Sequence, residues 1–282
     1  MAHLAASRRG SQGRPVHPTV SVIPAPLRGS HGGLIAAMLA IAVAAIWEVL
    51  VRTHAIPGLF LPPPSEIAIA LAEEVRAGTM LMHLRITLLR VAAGVALGGS
   101  AGLILGLAMG SSRKLREVGN PIVSALHPIP KLALLPLFMV LFGLGEKSKI
   151  VVVSAAAFFP MLISAMAGVR QISPVHFDVA RNYGASRWQM LKRVELPGSI
   201  PMVLTGLRLS ANVAFLSAIA VEMVSASTGL GSQLWLSWQV LRVDLLFATL
   251  TVIAILGVSL NAALRWLAWR GAPWLTEREV TI

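Results

Sequence analysis

Six long apolar stretches constrain this sequence more than any other feature. Each has about 20 mostly apolar residues, the number that an α-helix needs to cross a bilayer core about 30 Å thick. They lie near 34–51, 87–109, 121–143, 150–169, 202–224 and 245–264. Hydrophobic residues make up 56% of the 282-residue chain and charged residues 13%, and six spans leave no room for a sizeable soluble domain. We therefore predict an all-α integral membrane protein.

The charged residues are distributed according to this topology. If the N-terminus is cytoplasmic, 15 of the 24 Lys and Arg residues lie on the cytoplasmic side, but only five of the 12 Asp and Glu residues do. The basic residues are Arg8, Arg9, Arg14, Arg28, Arg113, Lys114, Arg116, Arg170, Arg181, Arg187, Lys192, Arg193, Arg265, Arg270 and Arg278; the acidic ones are Glu117, Asp178, Glu195, Glu277 and Glu279. The asymmetry follows the positive-inside rule and predicts two cytoplasmic termini. It also explains the net charge of +12 without a nucleic-acid partner.

Two polar segments flank the membrane domain, which we predict at 34–268. The first 33 residues are rich in Gly, Ser, Pro, His and Arg, and we predict a disordered, basic cytoplasmic tail. A twin-arginine export signal at Arg8-Arg9 is a weaker alternative, because the next apolar run begins far downstream, has the length of a span and shows no clear cleavage site. Residues 269–282 are predicted to form a second cytoplasmic tail.

The chain lacks the residue patterns of the common catalytic and cofactor-binding sites. It has no cysteine, which excludes disulfides, thiolate metal ligands and thiol nucleophiles. The segment GLGEKS (143–148) fails as a phosphate-binding loop, because Glu146 stands where the motif needs a glycine before Lys147. The spans also lack clustered His and carboxylate residues of metal-site type. We predict no enzyme activity, cofactor or metal on this chain.

Glycine recurs at every fourth position along the second span, at Gly94, Gly98, Gly102, Gly106 and Gly110. Small residues at this spacing allow another helix to approach to backbone contact, where close packing drives association in lipid. Four residues turn an α-helix by about 400°, so the stripe drifts by about 40° per step and would follow a crossing helix. We predict a packing surface. The pattern leaves open whether the partner helix belongs to the same chain or to a second copy.

The third span is interrupted by Pro128, Pro130 and Pro136. Proline removes a backbone donor and clashes with the preceding turn, so we predict a kinked or broken helix. In a membrane, broken backbone is tolerated mainly where it is buried in protein or lines a cavity. His127 and Lys131 flank the first two prolines, and ionisable groups within a membrane are candidates for function. We interpret this break as part of a translocation path, with snorkelling of Lys131 as the alternative.

Residues 171–201, between the fourth and fifth spans, form the longest cytoplasmic segment after the N-terminal tail. Helix-capping residues divide this segment into two short predicted helices. Ser173 and Pro174 start the first helix and Gly184 stops it, while the Ser186 and Gln189 capping box starts the second helix and Pro197 closes it. Its basic residues are also typical of an ordinary positive-inside connector, so charge alone assigns no function to it.

The same segment carries a motif with fixed spacing. An acidic residue is followed by two small or apolar residues, three variable positions, Gly, nine variable positions, an aliphatic residue, any residue and Leu-Pro. This pattern resembles the EAA signature of bacterial ATP-binding-cassette (ABC) importer permeases, with two departures: Asp replaces the usual Glu at 178, and Val replaces the first Ala at 179. The matching residues are Asp178, Val179, Ala180, Gly184, Val194, Leu196 and Pro197.

The resemblance extends from about Leu61 to Ala268 and is greatest to the permeases for aliphatic sulfonates, taurine and nitrate. It implies the type I importer permease fold with six spans, in the bacterial inner membrane. It further implies a pore made of two permease subunits, here expected to be a homodimer. Two separate ATPase subunits, which hold ATP and Mg²⁺, bind the permease loops, and a periplasmic binding protein delivers the solute. The resemblance assigns ATPase coupling to Asp178, Ala180, Gly184, Ala185, Leu196 and Pro197.

Two charged residues of the fifth span complete the candidate path. Arg208 lies close to the cytoplasmic face and Glu222 near the outer end, although snorkelling or a structural ion pair is the favoured alternative for both. Positive groups along the path would suit an anionic substrate. Two other classes of protein remain open: a secondary transporter or channel, which needs no docking loop, and an integral membrane enzyme, whose groups can converge from distant positions.

Overall fold

The computed structural model describes residues 30–55, 57 and 60–271, and this part of the chain is helical without a β-strand. The helices are α1 (Ser30–Arg52), α2 (Pro64–Ala77), α3 (Thr79–Gly94), α4 (Ser100–Ser111), α5 (Arg113–Leu126), α6 (Leu135–Phe142), α7 (Glu146–Arg170), α8 (Pro174–Asn182), α9 (Arg187–Met190), α10 (Leu196–Ser225), α11 (Leu230–Gln239) and α12 (Val243–Gly271). Val95–Gly99 and Leu191–Glu195 are π-helical, and Lys131–Leu134 is a 3₁₀ turn. Most of the predicted N-terminal tail, and the C-terminal tail beyond Gly271, lie outside the described residues.

The membrane spans follow the predicted stretches. Four continuous helical runs are long and apolar enough to cross a bilayer, and α5 with 131–142 forms a fifth when the bent pair is counted as one span. The four runs are Thr79–Ser111, Glu146–Arg170, Arg187–Ser225 and Val243–Arg270. The first predicted span lies in α1, a helix of 23 residues. The described residues up to Val49 and those from Leu50 onward form two units, and the features below belong to the second. The all-α membrane fold is confirmed.

The glycine stripe packs on α7 of the same chain. A Cβ added at Gly98 would overlap the backbone carbonyl of Ser154, and one added at Gly102 would overlap that of Phe158. The other three glycines face Val153, Leu162 and Val169. A π turn holds more residues than an α turn, so the π-helical segment 95–99 offsets the drift of a four-residue stripe. The helices therefore approach to backbone contact, where packing in lipid is strongest.

Helix α7 lies at the centre of the second unit. Its residues Val152, Val153, Ala157 and Leu162 are completely buried. It contacts α3 and α4 on one side and α10 on another. Because the four side chains are buried by protein rather than by lipid, α7 is the helix against which the other spans are positioned.

The predicted break in the third span is present. α5 ends at Leu126, the 3₁₀ turn begins at Lys131, and the two parts of the pair meet at 85°. Pro128 and Pro130 occupy the break. Pro136 does not interrupt a helix, because it lies in the first turn of α6, where its missing N–H would have had no helical partner.

Candidate functional site

The predicted coupling loop, residues 171–201, begins with α8. Pro174 occupies the first position of α8 and Ser173 precedes it, as predicted. The expected capping bond from the side chain is absent, since the Ser173 hydroxyl accepts no hydrogen bond from the first turn. The backbone N–H of His176 instead donates to the Ser173 carbonyl oxygen at 3.1 Å. The proline reduces the number of N–H groups that need a cap, so this start is stable without the hydroxyl.

Gly184 terminates α8 in the left-handed conformation, as predicted, with φ of +73°. The backbone N–H of Gly184 donates to the Arg181 carbonyl at 2.9 Å, and that of Ala185 donates to the Ala180 carbonyl at 3.0 Å. These two bonds constitute a Schellman motif, which satisfies the last carbonyls of the helix. A side chain at position 184 would meet open space, so the requirement for glycine comes from the backbone angle alone.

The predicted capping box at the start of α9 is confirmed. The Gln189 backbone N–H donates to the Ser186 hydroxyl at 3.3 Å, and the Ser186 backbone N–H donates to the Gln189 side-chain oxygen at 2.8 Å. Together with the stop at Gly184, these reciprocal bonds fix the angle between α8 and α9 by local interactions.

The prediction that Pro197 closes the second helix is wrong. The helix continues from Arg187 to Ser225, so α9 and the span α10 form one run of 39 residues. The π-helical segment ends at Glu195, two positions before the proline, and the Leu196 N–H donates to the Leu191 carbonyl, five residues back. A wider turn relieves the clash that a proline ring makes with the preceding turn of an α-helix. The second helix of the coupling loop is therefore the cytoplasmic end of a span.

The coupling loop presents its side chains to the outside. None of the α8 residues is buried, and Asp178 is 66% exposed in a 3.4 Å pair with Arg181. Large hydrophobic side chains are exposed beside this pair: Val175, Val179, Tyr183 and Trp188. The two aromatic residues lie on either side of Gly184, and no sequence motif had indicated them. Exposed apolar side chains on a polar cytoplasmic loop are typical of a protein-binding surface.

The break at 127–131 brings four of the candidate path residues together. The Lys131 ammonium group donates to the carbonyl oxygens of Leu126, His127 and Ile129 at 3.0, 2.7 and 2.7 Å. It also lies 4.4 Å from the centre of the Phe159 ring, whose centroid is 5.5 Å from that of the His127 ring. Lys131 thus satisfies carbonyls that the break leaves without helical donors. The structure leaves His127, Pro128 and Pro130 exposed.

The other two candidate path residues lie apart from each other. Arg208 is partly buried on α10. Glu222 is on the same helix 14 positions later, which corresponds to about 21 Å along the axis. The carboxylate of Glu222 is completely buried inside this chain. The two residues therefore do not form one site.

A cluster of charged and polar side chains built on a buried ion pair, the buried charge cluster, joins the ends of three spans at the outer end of the bundle. Its members are the buried Arg90, Glu222 and Thr87 and the half-exposed Glu146. The Arg90 guanidinium group donates to the Glu222 carboxylate at 2.8 Å and makes two bonds of 2.7 Å with Glu146. Arg90 is 2% exposed and Glu222 is 0% exposed, whereas the Glu146 side chain is 54% exposed. Lys149 adds a second ion pair to Glu146 at 3.1 Å. Arginine suits this buried position better than lysine, because its planar guanidinium group can bind two carboxylates at the same time.

The buried charge cluster also caps the start of α11. The Glu222 carboxylate accepts from the Gly231 N–H and the Thr87 hydroxyl accepts from the Leu230 N–H, both at 2.9 Å. The Gly229 N–H donates to His83 Nδ1 at 2.9 Å. Three N–H groups that have no partner within the helix are thus satisfied by side chains of α3 and α10. Of these residues, only Glu222 was a functional candidate from the sequence, and Glu146 had entered only as a mismatch in a phosphate-binding loop. The signal that could have found the cluster was Arg90, a charge within an apolar span.

The described residues contain no group of three His, Asp or Glu side chains that would hold a metal ion. What they do contain is a set of span-length helices, one of them continuous with a cytoplasmic loop that exposes apolar and charged side chains. These features define an integral membrane subunit that works with other proteins. Residues 98–271 match the binding-protein-dependent transport system inner membrane component family, and the chain belongs to this family.

Named relatives support the same assignment. The chain is 36% identical over 237 residues to the taurine transport system permease protein TauC of Escherichia coli, covering 82% of this chain and 86% of that protein. It is 30% identical over 254 residues to the putative aliphatic sulfonates transport permease protein SsuC of Bacillus subtilis, covering 90% and 92%. This chain is therefore a multi-pass inner-membrane permease subunit of an ABC transporter.

A solved structure supports the fold. A chain of the methionine ABC transporter MetNI, in an inward-facing conformation, matches with a TM-score of 0.56 at 20% identity, covering 68% of this chain and 94% of that one. The fold is thus that of the type I ABC importer permeases. Membership of the family implies an ATPase partner and a substrate-binding protein.

Proposed function

We propose that this chain pairs with a second copy of itself to form the translocation path of an ATP-driven importer, and that its coupling loop docks on a separate ATPase. The observation that carries the proposal is the exposed surface of α8 and α9. Asp178, Tyr183 and Trp188 protrude from a hairpin that local capping makes rigid. Because α9 continues into α10, a movement of the hairpin acts on the cytoplasmic end of a span.

The ATP and Mg²⁺ of this importer belong to the partner ATPase. The segment 143–148 was the nearest approach to a phosphate-binding loop in the sequence. Its Glu146 is engaged with Arg90 and Lys149 in the buried charge cluster. Residues 143–148 therefore connect spans rather than wrap a phosphate, which supports a motor on another polypeptide.

The proposed substrate is a small organic sulfonate such as taurine, or a similar anion such as nitrate. The two relatives named above are a taurine transport permease and a putative permease for aliphatic sulfonates. We place the path along the broken span at His127, Pro128, Pro130 and Lys131, with Arg208 as a further positive group. The exposed backbone break is the kind of irregular structure that membranes accept beside a cavity. Glu222 is assigned instead to the buried charge cluster.

The proposal is tested by Gly184→Val in the complete transporter, purified with its ATPase and binding protein and reconstituted in liposomes. Valine opposes a positive φ, so the hairpin turn is disrupted while the spans still insert. We expect taurine-stimulated ATP hydrolysis to be lost. Gly78→Val is a matched control, because Gly78 also has a positive φ with open space around it but lies between α2 and α3. Unchanged stimulation in Gly184→Val would contradict the docking proposal.

Three measurements separate the remaining alternatives. Purification without any ATPase partner, together with uptake driven by an ion gradient, would indicate a secondary transporter or channel. Normal taurine and nitrate uptake in Lys131→Ala and Arg208→Ala variants would contradict the path assignment but leave the ATPase-docking proposal standing. A purified complex with two different permease chains would exclude the homodimer.

A further inference from the structure

A contact between the coupling loop and α4 has no counterpart in the sequence motif. Glu195 is the last residue of the π-helical segment, and its side chain is 8% exposed. Its carboxylate accepts a hydrogen bond from the hydroxyl of Ser111, the last residue of α4 and 84 positions away in the sequence. Glu195 occupies a variable position of the EAA pattern, so the resemblance assigns no role to it.

The chemistry of this contact favours a persistent bond. A carboxylate removed from water is unfavourable unless it keeps a hydrogen-bond donor. The Ser111 hydroxyl has one hydrogen and two acceptors in reach, because its oxygen also lies 2.9 Å from the Leu107 carbonyl. A charged acceptor makes the stronger bond, so donation to Glu195 is favoured.

The contact lies where the long helix is least able to transmit movement along its own axis. The π-helical segment 191–195 is followed by Pro197 and by Pro201, and each proline removes one donor from the helical ladder. The Ser199 and Thr205 hydroxyls bond to nearby carbonyls in this stretch. A displacement of α9 is therefore partly absorbed before it reaches the middle of α10. A lateral contact at Glu195 provides a second route.

This second route leads toward the broken span. The end of α4 is connected to α5 by Arg116, whose side chain donates to the Met109 and Gly110 carbonyls at 3.2 and 3.1 Å. α5 runs from there to the break at 127–131. A displacement of Ser111 thus moves the end of α4, the start of α5 and the candidate translocation path together.

We propose that Glu195 and Ser111 form a tether through which movement of the coupling loop reaches α4 and the broken span. Both are positioning residues for transport. The proposal rests on the ATPase-docking role of the coupling loop. The tether adds a prediction to the docking role: ATP hydrolysis moves α4 and the broken span as well as α10.

The first test uses the complete transporter in liposomes and measures taurine imported per ATP hydrolysed. Ser111→Ala and Glu195→Ala each lower this ratio about tenfold, the factor that loss of one hydrogen bond to a charged group commonly produces. The double variant is no worse than either single one, because both remove the same contact. Ser111→Thr keeps the hydroxyl and should therefore keep the ratio at its wild-type value. Ser100→Ala on the same helix is the control, since its hydroxyl bonds to Leu97 within its own helix.

The second test does not depend on the substrate. The chain has no cysteine, so Ser111→Cys with Glu195→Cys introduces the only thiols of the permease. We expect a short, reducible reagent that bridges two thiols to join them, because a direct disulfide is shorter than a Ser–Glu contact. Taurine-independent ATP hydrolysis by the complex should persist in the joined pair, because the two positions move together. A joined pair that stops hydrolysis, with recovery on reduction, would mean that the contact must break in each cycle and would overturn the tether.

Failure of the proposed function and failure of the tether give different results. A wild-type complex without stimulated ATP hydrolysis or ATP-dependent import overturns the proposed function and the tether with it. A working wild-type complex in which Ser111→Ala leaves the import ratio unchanged overturns the tether alone. If the transporter with Ser111→Ala fails to assemble, the test with the cysteine pair decides whether the tether exists.

Discussion

The two ends of this permease hold their charged residues in opposite ways. At the outer end, the buried charge cluster encloses Arg90 and Glu222 completely and satisfies them with several hydrogen bonds. At the cytoplasmic end, Asp178 and Arg181 form a single 3.4 Å pair in which both side chains are more than 60% exposed. The first arrangement joins spans of one chain, while the second leaves its charges available to another protein.

The difference follows from solvent exposure. Removing one partner of a buried ion pair leaves an uncompensated charge and costs about 3–5 kcal/mol, whereas an exposed pair contributes about 0.2–1 kcal/mol. The proposed coupling role makes use of both arrangements. In the proposed importer, the outer end would stay assembled during movement, and the coupling loop would exchange contacts with the ATPase without loss of fold.

The largest expected effect is from Arg90→Ala. It leaves the buried carboxylate of Glu222 and that of Glu146 without their guanidinium partner, so we expect a loss of about 3–5 kcal/mol in the free energy of unfolding. Thermal unfolding in detergent measures it. Arg113→Ala is the matched control, because it breaks the Arg113–Glu117 pair, whose side chains are 84% and 61% exposed. Equal losses in the two variants would remove the contrast between the two ends.

A smaller loss of stability is expected from a substitution in the glycine stripe, which packs against α7. Gly98→Ala forces a methyl group into the backbone of α7 and should lower stability by about 1–3 kcal/mol. Gly99→Ala is the matched control, because a Cβ there would make only ordinary contacts, at 3.7 Å to Val95 and 3.9 Å to Met161. Thermal unfolding of both variants checks the difference. A tolerated Gly98→Ala would show that the π-helical segment 95–99 and α7 can move apart.

The smallest effect on stability is expected at the coupling loop. Trp188 is 68% exposed, so Trp188→Ala should change the free energy of unfolding by less than about 0.5 kcal/mol. Binding of the ATPase should nevertheless weaken by about 2 kcal/mol, as is typical of a central aromatic anchor. Titration of the ATPase onto the permease in nanodiscs measures the affinity. Trp238→Ala, of a tryptophan 56% exposed on α11, is the control and should leave ATPase affinity unchanged.

Features set by neighbouring residues were predictable. The apolar stretches required spans, Gly184 required a positive φ, Ser186 and Gln189 required each other, and Pro128 with Pro130 required a break. Each depends on interactions within a few positions, so the residues carry the information themselves.

One local prediction failed for a physical reason. Pro197 was expected to end a helix, but a π turn placed before it allows the helix to continue into the span. A proline in a sequence shows that the α-helical ladder must be altered. It does not show whether the helix stops or widens, because packing of the span in its surroundings decides between the two.

The sequence by itself determined the membrane topology, the glycine stripe and the local shape of the coupling loop, because hydropathy, spacing and capping act over short distances. Only the tertiary structure decided that the stripe packs on α7, that Glu222 meets Arg90 132 positions away, and that Glu195 meets Ser111. A charged residue in a span indicates that a partner for the charge is needed. Which partner it finds depends on how the helices cross, and no local pattern encodes that geometry.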